Sequence, residues 1–106
     1  MKRATDICLA IVTCNDGEER AIRTVGRFAQ TLRALENAGP VGVTALDLSS
    51  WAVRLGHYVW VLRKRYGLNI ATVIEAHGGS YPGKHGRYTL LDRVRIVPKD
   101  DWIAAA

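Results

Sequence analysis

One segment of the sequence has residue types that could hold a nucleotide phosphate. Gly78, Gly83 and Lys84 have the spacing of a P-loop, in which backbone amides and a lysine bind phosphate groups. His85 stands where that motif needs a Ser or Thr hydroxyl for Mg²⁺, and the residues that follow predict a strand where the motif needs a helix. We therefore expect no nucleotide-hydrolysing site in this segment.

Other side chains could be arranged for hydrolysis or for metal binding. Ser49 or Ser50 with His57 and Asp47 would supply the groups of a catalytic triad, but neither serine lies in a nucleophile-elbow sequence. The cysteines and histidines lack the spacing of a zinc site; they are Cys8, Cys14, His57, His77 and His85. The sequence therefore predicts a protein that is not an enzyme and needs neither a cofactor nor a metal ion.

Basic side chains outnumber acidic ones. The 106-residue chain has 15 Lys and Arg against 10 Asp and Glu, which gives a formal net charge of +5. Such an excess favours an anionic partner, usually nucleic acid, and a merely basic globular protein is the alternative. Arginine outnumbers lysine, and its planar guanidinium suits phosphate and guanine. The charge thus favours a nucleic-acid partner without defining a fold.

An apolar run near the N-terminus, residues 7–12, follows two basic residues. It is at or below the lower limit of a secretory signal core and is bordered by Asp6, so export is the less favoured alternative. The run is also too short to span a bilayer. We expect a cytoplasmic protein without a membrane partner, in which Cys8 and Cys14 stay reduced.

The clearest predicted helix follows residues 15–19 and ends at Gly39 and Pro40. Asp16 and Glu19 have the spacing of a capping box at its start. Apolar residues recur at steps of three and four and share one face: Ile22, Val25, Phe28, Ala29, Leu32 and Leu35. Three basic residues on the opposite face are interpreted as solvated: Arg20, Arg23 and Arg27.

Two further helices are predicted before Gly67. Thr44 with Asp47 in a capping-box-like position predicts a brief helix over residues 45–49. A third helix runs over residues 54–66, or begins near residue 51, and ends at Gly67. Its predicted buried stripe consists of Leu55, Val59, Leu62 and Tyr66. The predicted outward face consists of Arg54, His57, Trp60, Val61 and Lys64.

After Gly67 the apolar period changes to two, which predicts strands. Residues 69–76 predict one strand, residues 77–86 a loop with four glycines, and residues 87–91 the returning strand of a hairpin. Residues 94–97 predict a further strand, and residues 5–14 either a strand or a short helix.

This order of elements predicts an α+β fold of three helices and a hairpin. We divide the chain into an apolar N-terminal extension (1–14), a central domain (15–91) and a C-terminal strand and tail (92–106).

Three segments resemble the winged helix-turn-helix superfamily. Residues 42–48 (GVTALDL) resemble the start of the first helix of its motif, and residues 59–67 (VWVLRKRYG) resemble the end of its recognition helix. Residues 86–90 (GRYTL) resemble the strand that returns from the wing. The resemblance covers roughly residues 20–91 and is shared by many small bacterial and phage proteins.

The resemblance implies binding to double-stranded DNA by a small transcription regulator or a mobile-element accessory protein. Helix 54–66 would lie in the major groove, and wing 77–87 would contact the backbone or the minor groove. The implied contact residues on the helix are Arg54, His57, Trp60, Arg63 and Lys64. Those on the wing are Lys84, His85 and Arg87.

Two alternatives stay open at this point. Trp60 and Val61 could form the face of a protein-interaction module that does not bind DNA directly. Residues 5–14 and 93–97 could pair as strands between two copies and form a homodimer.

Overall fold

The computed structural model describes residues 6–14, 16–45, 47–48, 54–77 and 83–98. In chain order the elements are β1 (Ile7–Thr13), β2 (Glu19–Val25), α1 (Gly26–Ala38), a 3₁₀ turn (Gly39–Val41), α2 (Leu55–Tyr66), β3 (Ile70–His77), β4 (Gly83–Leu90) and β5 (Arg93–Ile96). They form a three-stranded sheet ordered β2-β1-β5, the hairpin β3-β4, and two helices within the described residues. The α+β content agrees with the prediction, whereas the prediction of three helices is wrong for the described chain.

Residues 19–25 differ most from the predicted secondary structure. They were expected in the first helix, but they form β2, which pairs antiparallel with β1 from Ile7 opposite Val25 to Thr13 opposite Glu19. Asp16 does not cap a helix, because its carboxylate accepts a 3.0 Å hydrogen bond from the Glu18 amide inside the turn between the two strands. The helix begins only at Gly26, where φ is +62°.

β1 is the central strand of the three-stranded sheet. It pairs on its second edge with β5, from Ala10 opposite Ile96 to Thr13 opposite Arg93. The two segments suggested to pair between copies thus pair with each other within one chain, and the homodimer stays a prediction. Part of the predicted N-terminal extension therefore belongs to the core, where Cys8, Ala10 and Val12 are buried.

Helix α1 covers one face of this sheet and also packs against α2. Its buried residues Ala29, Leu32 and Leu35 join Leu55, Val59 and Leu62 of α2 in one hydrophobic cluster. The predicted helical stripe is therefore confirmed over residues 28–35. Gly39, with φ of +58°, ends α1.

Two arginines tie the layers together. Arg33 bonds to the Asp6 carboxylate and donates to the Ile7 carbonyl at 2.6 Å, which fixes the start of β1 against α1. Arg20 was interpreted as solvated, but its guanidinium donates to the Tyr66 carbonyl at 2.5 Å and joins β2 to the end of α2.

The segment between the helices forms a reciprocal turn. The Thr44 amide donates to the Asp47 carboxylate at 3.0 Å, and the Asp47 amide donates to the Thr44 hydroxyl at 3.3 Å, as in a capping box. The spacing was correctly interpreted, but residues 45 and 47 form a turn and residue 48 a bend instead of the predicted helix. The remainder of that predicted helix lies outside the described residues.

The β3-β4 hairpin pairs from Ile70 opposite Leu90 to His77 opposite Gly83. The returning strand begins four residues earlier than predicted, because the ladder continues through residues that composition alone marked as loop. Val43 adds a short bridge to the free edge of β4, with Tyr88 as its partner in two backbone hydrogen bonds of 2.8 and 2.9 Å. No helix in the described chain is long and apolar enough to cross a membrane.

Candidate nucleic-acid interface

Helix α2 presents an exposed face that combines cations with an aromatic side chain. Arg54, His57 and Lys64 are exposed, and Trp60 between them is 54% exposed. The sequence of α2, LGHYVWVLRKRY, contains no acidic residue. The face therefore joins positive charge to an aromatic surface without a carboxylate of its own helix to neutralise it.

The direction of this face follows from how α2 is held. Leu55, Val59 and Leu62 are fully or almost fully buried against α1, so the opposite side of the helix must face solvent. Gly67 ends the helix in the left-handed conformation, and its amide donates to the Leu62 carbonyl. The last turn carries three basic residues, 63–65, whose positive charges interact favourably with the negative end of the helix dipole.

Val61 was predicted on the outward face, and this prediction is wrong. Its side chain is only 6% exposed. A helical projection assumes a single buried side, whereas contacts from other segments can bury a second flank. Trp60 and Val61 therefore do not form one exposed apolar surface.

His57 and Trp60 form a parallel pair on the exposed face. Their rings are inclined by 14° and their centroids are 6.4 Å apart. Residues three apart lie on the same side of a helix, which explains the arrangement.

Arg63 joins α2 to the hairpin. Its guanidinium donates to the Ile70 carbonyl at 2.5 and 3.0 Å and to the Thr72 hydroxyl at 2.6 Å. The predicted contact residue Arg63 thus has internal partners that hold the hairpin beside the helix. Gly56, one turn before Trp60, lies against the Tyr88 hydroxyl, since an added Cβ would be 3.3 Å from that oxygen.

Two of the three predicted cationic residues on the hairpin bind an acid on the neighbouring strand. Glu75 accepts from Arg87 Nε at 2.8 Å and contacts His85 Nε2 at 3.0 Å. Arg87 also lies 3.7 Å from the Asp47 carboxylate. The bond from Arg87 above all, with help from His85, holds the pKa of Glu75 below its usual range.

Lys84 differs from these neighbours because its side chain is exposed. It lies opposite Ala76 in the ladder, whereas His85 lies opposite Glu75. Successive residues of a strand point to opposite faces, so Lys84 and His85 face different ways. The hairpin therefore offers fewer available positive charges than its sequence implies.

Glu75 and Asp47 were not identified as part of the site from the sequence. Glu75 lies beside its partners because of the register of the hairpin. Asp47 lies close to Arg87 although 40 positions separate them in the sequence. The predicted strand alternation was a usable signal for Glu75, because it places that residue on the same face as a partner across the hairpin. No comparable signal existed for Asp47.

A second cationic surface was also missed. Arg23, Arg93 and Arg95 are exposed on the three-stranded sheet. Leu9, opposite Arg23, and Ile11, opposite Arg95, share that face. The buried residues of β1 alternate with these two, so the arginine face points away from α1 and α2.

The arrangements considered for catalysis find no support in the geometry. Lys84 and His85 lie in a strand, where a P-loop would begin a helix. The two serines of the imagined triad lie outside the described residues, and Asp47 is bonded to Thr44. Among the described residues, no group of three or more His, Cys, Asp or Glu side chains could hold a metal ion.

Comparison with protein families identifies the fold. Residues 21–100 match the family model of a winged helix domain, which is more than half of the chain. The chain belongs to the winged helix family. Membership suggests DNA binding in general, and winged helix domains are typically non-enzymatic. Neither the curated proteins nor the solved structures give a significant match.

The matched region includes α2 and the β3-β4 hairpin, and this hairpin is called the wing from here on. The family match begins within β2 and includes β5, whereas β1 precedes it. The central strand of the three-stranded sheet is thus supplied from outside the matched region.

Proposed function

We propose that this protein binds double-stranded DNA with α2 in the major groove, as a small transcription regulator or a mobile-element accessory protein. The observation that supports this most is the exposed α2 face, which carries Arg54, His57 and Lys64 and no acid. Polyanionic DNA is the partner that such a face complements.

The dimensions of α2 suit this role. A helix of 12 residues is about 18 Å long, and the major groove is wide enough to admit one. In this docking Arg54 and His57, near the N-terminal end, approach base edges. Lys64, two turns later, neutralises a phosphate, which adds affinity without sequence information.

The wing takes an unequal part in our proposal. Lys84 is exposed and contacts the backbone or the minor groove directly. Arg87 and His85 act first as internal partners of Glu75, which keep the wing in shape, and only secondarily as DNA contacts. Arg63 similarly positions the wing through Ile70 and Thr72.

A matched pair of triple variants tests the proposal. Arg54→Ala/Lys64→Ala/Lys84→Ala removes three exposed charges from the proposed interface. Arg23→Ala/Arg93→Ala/Arg95→Ala removes three exposed charges from the sheet face that points away from α2. Affinity for a labelled random-sequence duplex is measured by fluorescence anisotropy over a series of salt concentrations.

We expect the interface variant to lose most of its affinity. Its salt dependence should fall by up to about 1.8 log units per log unit of salt, because Lys64 and Lys84 are the two proposed phosphate contacts and each contributes about 0.9. The sheet variant should stay close to the wild type. Equal losses in both variants, or wild-type binding that does not change with salt, would contradict docking through α2.

A protein partner at Trp60 is the competing hypothesis. The half-exposed indole favours it, but the burial of Val61 leaves a smaller apolar face than the sequence implied. Under this hypothesis both triple variants bind DNA as weakly as the wild type does.

A further inference from the structure

We propose that Trp60, placed beside His57, recognises the 5-methyl group of thymine in the major groove. The inference rests on the proposed function and specifies what the middle of the α2 face contacts. It assigns a sequence preference to a residue whose type is not among the common hydrogen-bonding partners of base edges.

The exposure of Trp60 calls for a partner surface. Its indole is 54% exposed in the middle of a 12-residue helix, whereas the apolar residues on the opposite side of α2 are buried. Large apolar side chains that remain exposed on a folded domain often mark a binding surface. His57 runs parallel to the indole and extends this flat surface by one ring.

The charges around Trp60 define the chemistry of that partner. Arg54 and Lys64 are exposed on the same side of α2, and the helix carries no acid. A partner that covers Trp60 must therefore be anionic at its edges and apolar where the indole touches it. In the DNA major groove, phosphates line both edges, and the thymine methyl is the apolar group that the bases present there.

The neighbours of Trp60 on the helix hold it at the junction with the wing. Gly56, four residues earlier, faces the Tyr88 hydroxyl, and Arg63, three residues later, bonds to β3. Trp60 lies between these two positions on one stripe of the helix. The hydrogen bonds of Arg63 and the close approach of Gly56 to Tyr88 thus hold this stripe against the hairpin before any ligand binds, which lowers the entropy cost of the contact.

Replacement of thymine by uracil tests the inference, because uracil lacks only the 5-methyl group. One random-sequence duplex library is amplified with dTTP and, separately, with dUTP. The affinities of the wild type and of Trp60→Ala, Trp60→Phe and Val41→Ala are measured on both libraries. Val41 is 71% exposed and lies outside α2 and the wing. Val41→Ala is therefore the control, because it also removes an exposed apolar side chain.

We expect the wild type to bind the thymine library more tightly, by about fourfold for each methyl group contacted, as for burial of one methylene-sized group. Trp60→Ala should bind both libraries equally, whereas Trp60→Phe and Val41→Ala should keep the preference. Circular dichroism checks that each variant folds, and the Trp60→Phe variant keeps an aromatic side chain at this position.

The outcomes separate this inference from the proposed function. Wild-type protein that binds both libraries equally overturns thymine recognition while it leaves DNA binding intact. A preference that persists in Trp60→Ala also overturns it, since another residue then contacts the methyl group. Absence of binding to either library at low salt overturns the proposed function itself, and the inference with it.

Discussion

The α2 face and the wing both carry clusters of basic residues, yet they differ in how much of that charge is available. On α2, Arg54 and Lys64 are exposed and the helix contains no acid. On the wing, Arg87 and His85 are bound to Glu75. The same kinds of residue are thus exposed in one region and bound to internal partners in the other.

The difference arises from how helices and hairpins place neighbours. On a helix, the nearest side-chain neighbours of a residue lie three and four positions away in the same segment. A segment without acidic residues therefore offers its basic side chains no local ion-pair partner. In a hairpin each residue faces one from the other strand, and the register put Glu75 opposite His85. A count of basic residues therefore overstates the charge of a wing more easily than that of a helix.

The largest expected effect comes from detaching the wing from the rest of the domain. Gly42 has φ of +75°, and a Cβ there would lie 2.6 Å from the Tyr88 carbonyl and 2.7 Å from the Thr89 hydroxyl. We expect Gly42→Ala to lower the free energy of unfolding by about 3 to 5 kcal/mol, because backbone strain adds to the collision with β4. Urea unfolding followed by circular dichroism measures this.

Gly39→Ala is the matched control, because Gly39 also has a positive φ, of +58°, but an added Cβ would meet no atom within 4 Å. It should cost about 1 to 3 kcal/mol from backbone strain alone. Equal costs for the two variants would mean that the segment around Gly42 does not anchor the wing.

A smaller effect, on DNA affinity, is expected when the wing loses its acidic residue and so resembles the acid-free face of α2. Glu75→Gln removes the carboxylate that neutralises Arg87 and contacts His85, and it keeps the shape of the side chain. If the wing approaches DNA, the freed charge should raise affinity and increase the salt dependence by up to about 0.9 log units per log unit of salt. Fluorescence anisotropy with the same random duplex measures both.

Glu36→Gln makes the same change of net charge at an exposed position of α1 and should leave the salt dependence unaltered. If the two variants behave alike, the effect is one of net charge, and the comparison between wing and helix loses its basis.

The smallest expected effect is on the pH dependence of stability. The pKa of Glu75 is lowered in the folded state, chiefly by the bond from Arg87. Its contribution to stability is therefore present above the unfolded carboxyl pKa of about 4.3 and is lost as pH falls through the folded value. Melting temperatures of wild type and Glu75→Gln should differ at pH 7 and converge in acid. A constant difference across this range would show that the carboxylate is not the stabilising group.

Local patterns predicted some elements well. α2 and its end at Gly67 follow from a buried stripe and a C-terminal glycine. β3 follows from the period of two after Gly67. These elements have signals within their own segment, so no distant contact was needed to recognise them.

Residues 19–25 show where local patterns fail. Ile22 and Val25 fit the spacing of a helix, while the buried pair of β2 is Ile22 and Thr24. Thr24 is polar, and its buried hydroxyl is satisfied because it donates to the Cys8 carbonyl at 3.1 Å. An apolar pattern cannot include such a residue, so the alternation that marks the strand was hidden.

In the candidate site, too, some features were predictable from local patterns and others were not. The exposure of Arg54, His57, Trp60 and Lys64 was predicted, because helical periodicity sets the direction of a side chain. The contacts of Arg63 with Thr72 and of Arg87 with Asp47 were not predicted, because each partner lies in another segment of the chain. The burial of Val61 was not predicted either.

By itself, the sequence determined that an amphipathic helix ends at Gly67, that a hairpin follows it, and that the chain resembles winged helix proteins. Only the tertiary structure decided that β1 pairs with both β2 and β5, and that Glu75 binds the wing cations. The periodicity of apolar residues involves neighbours along the chain, so it can be recognised in the sequence alone. Strand partners and ion pairs depend on which distant segments the hydrophobic core brings together, and many sequences with the same local periodicity could assemble them differently.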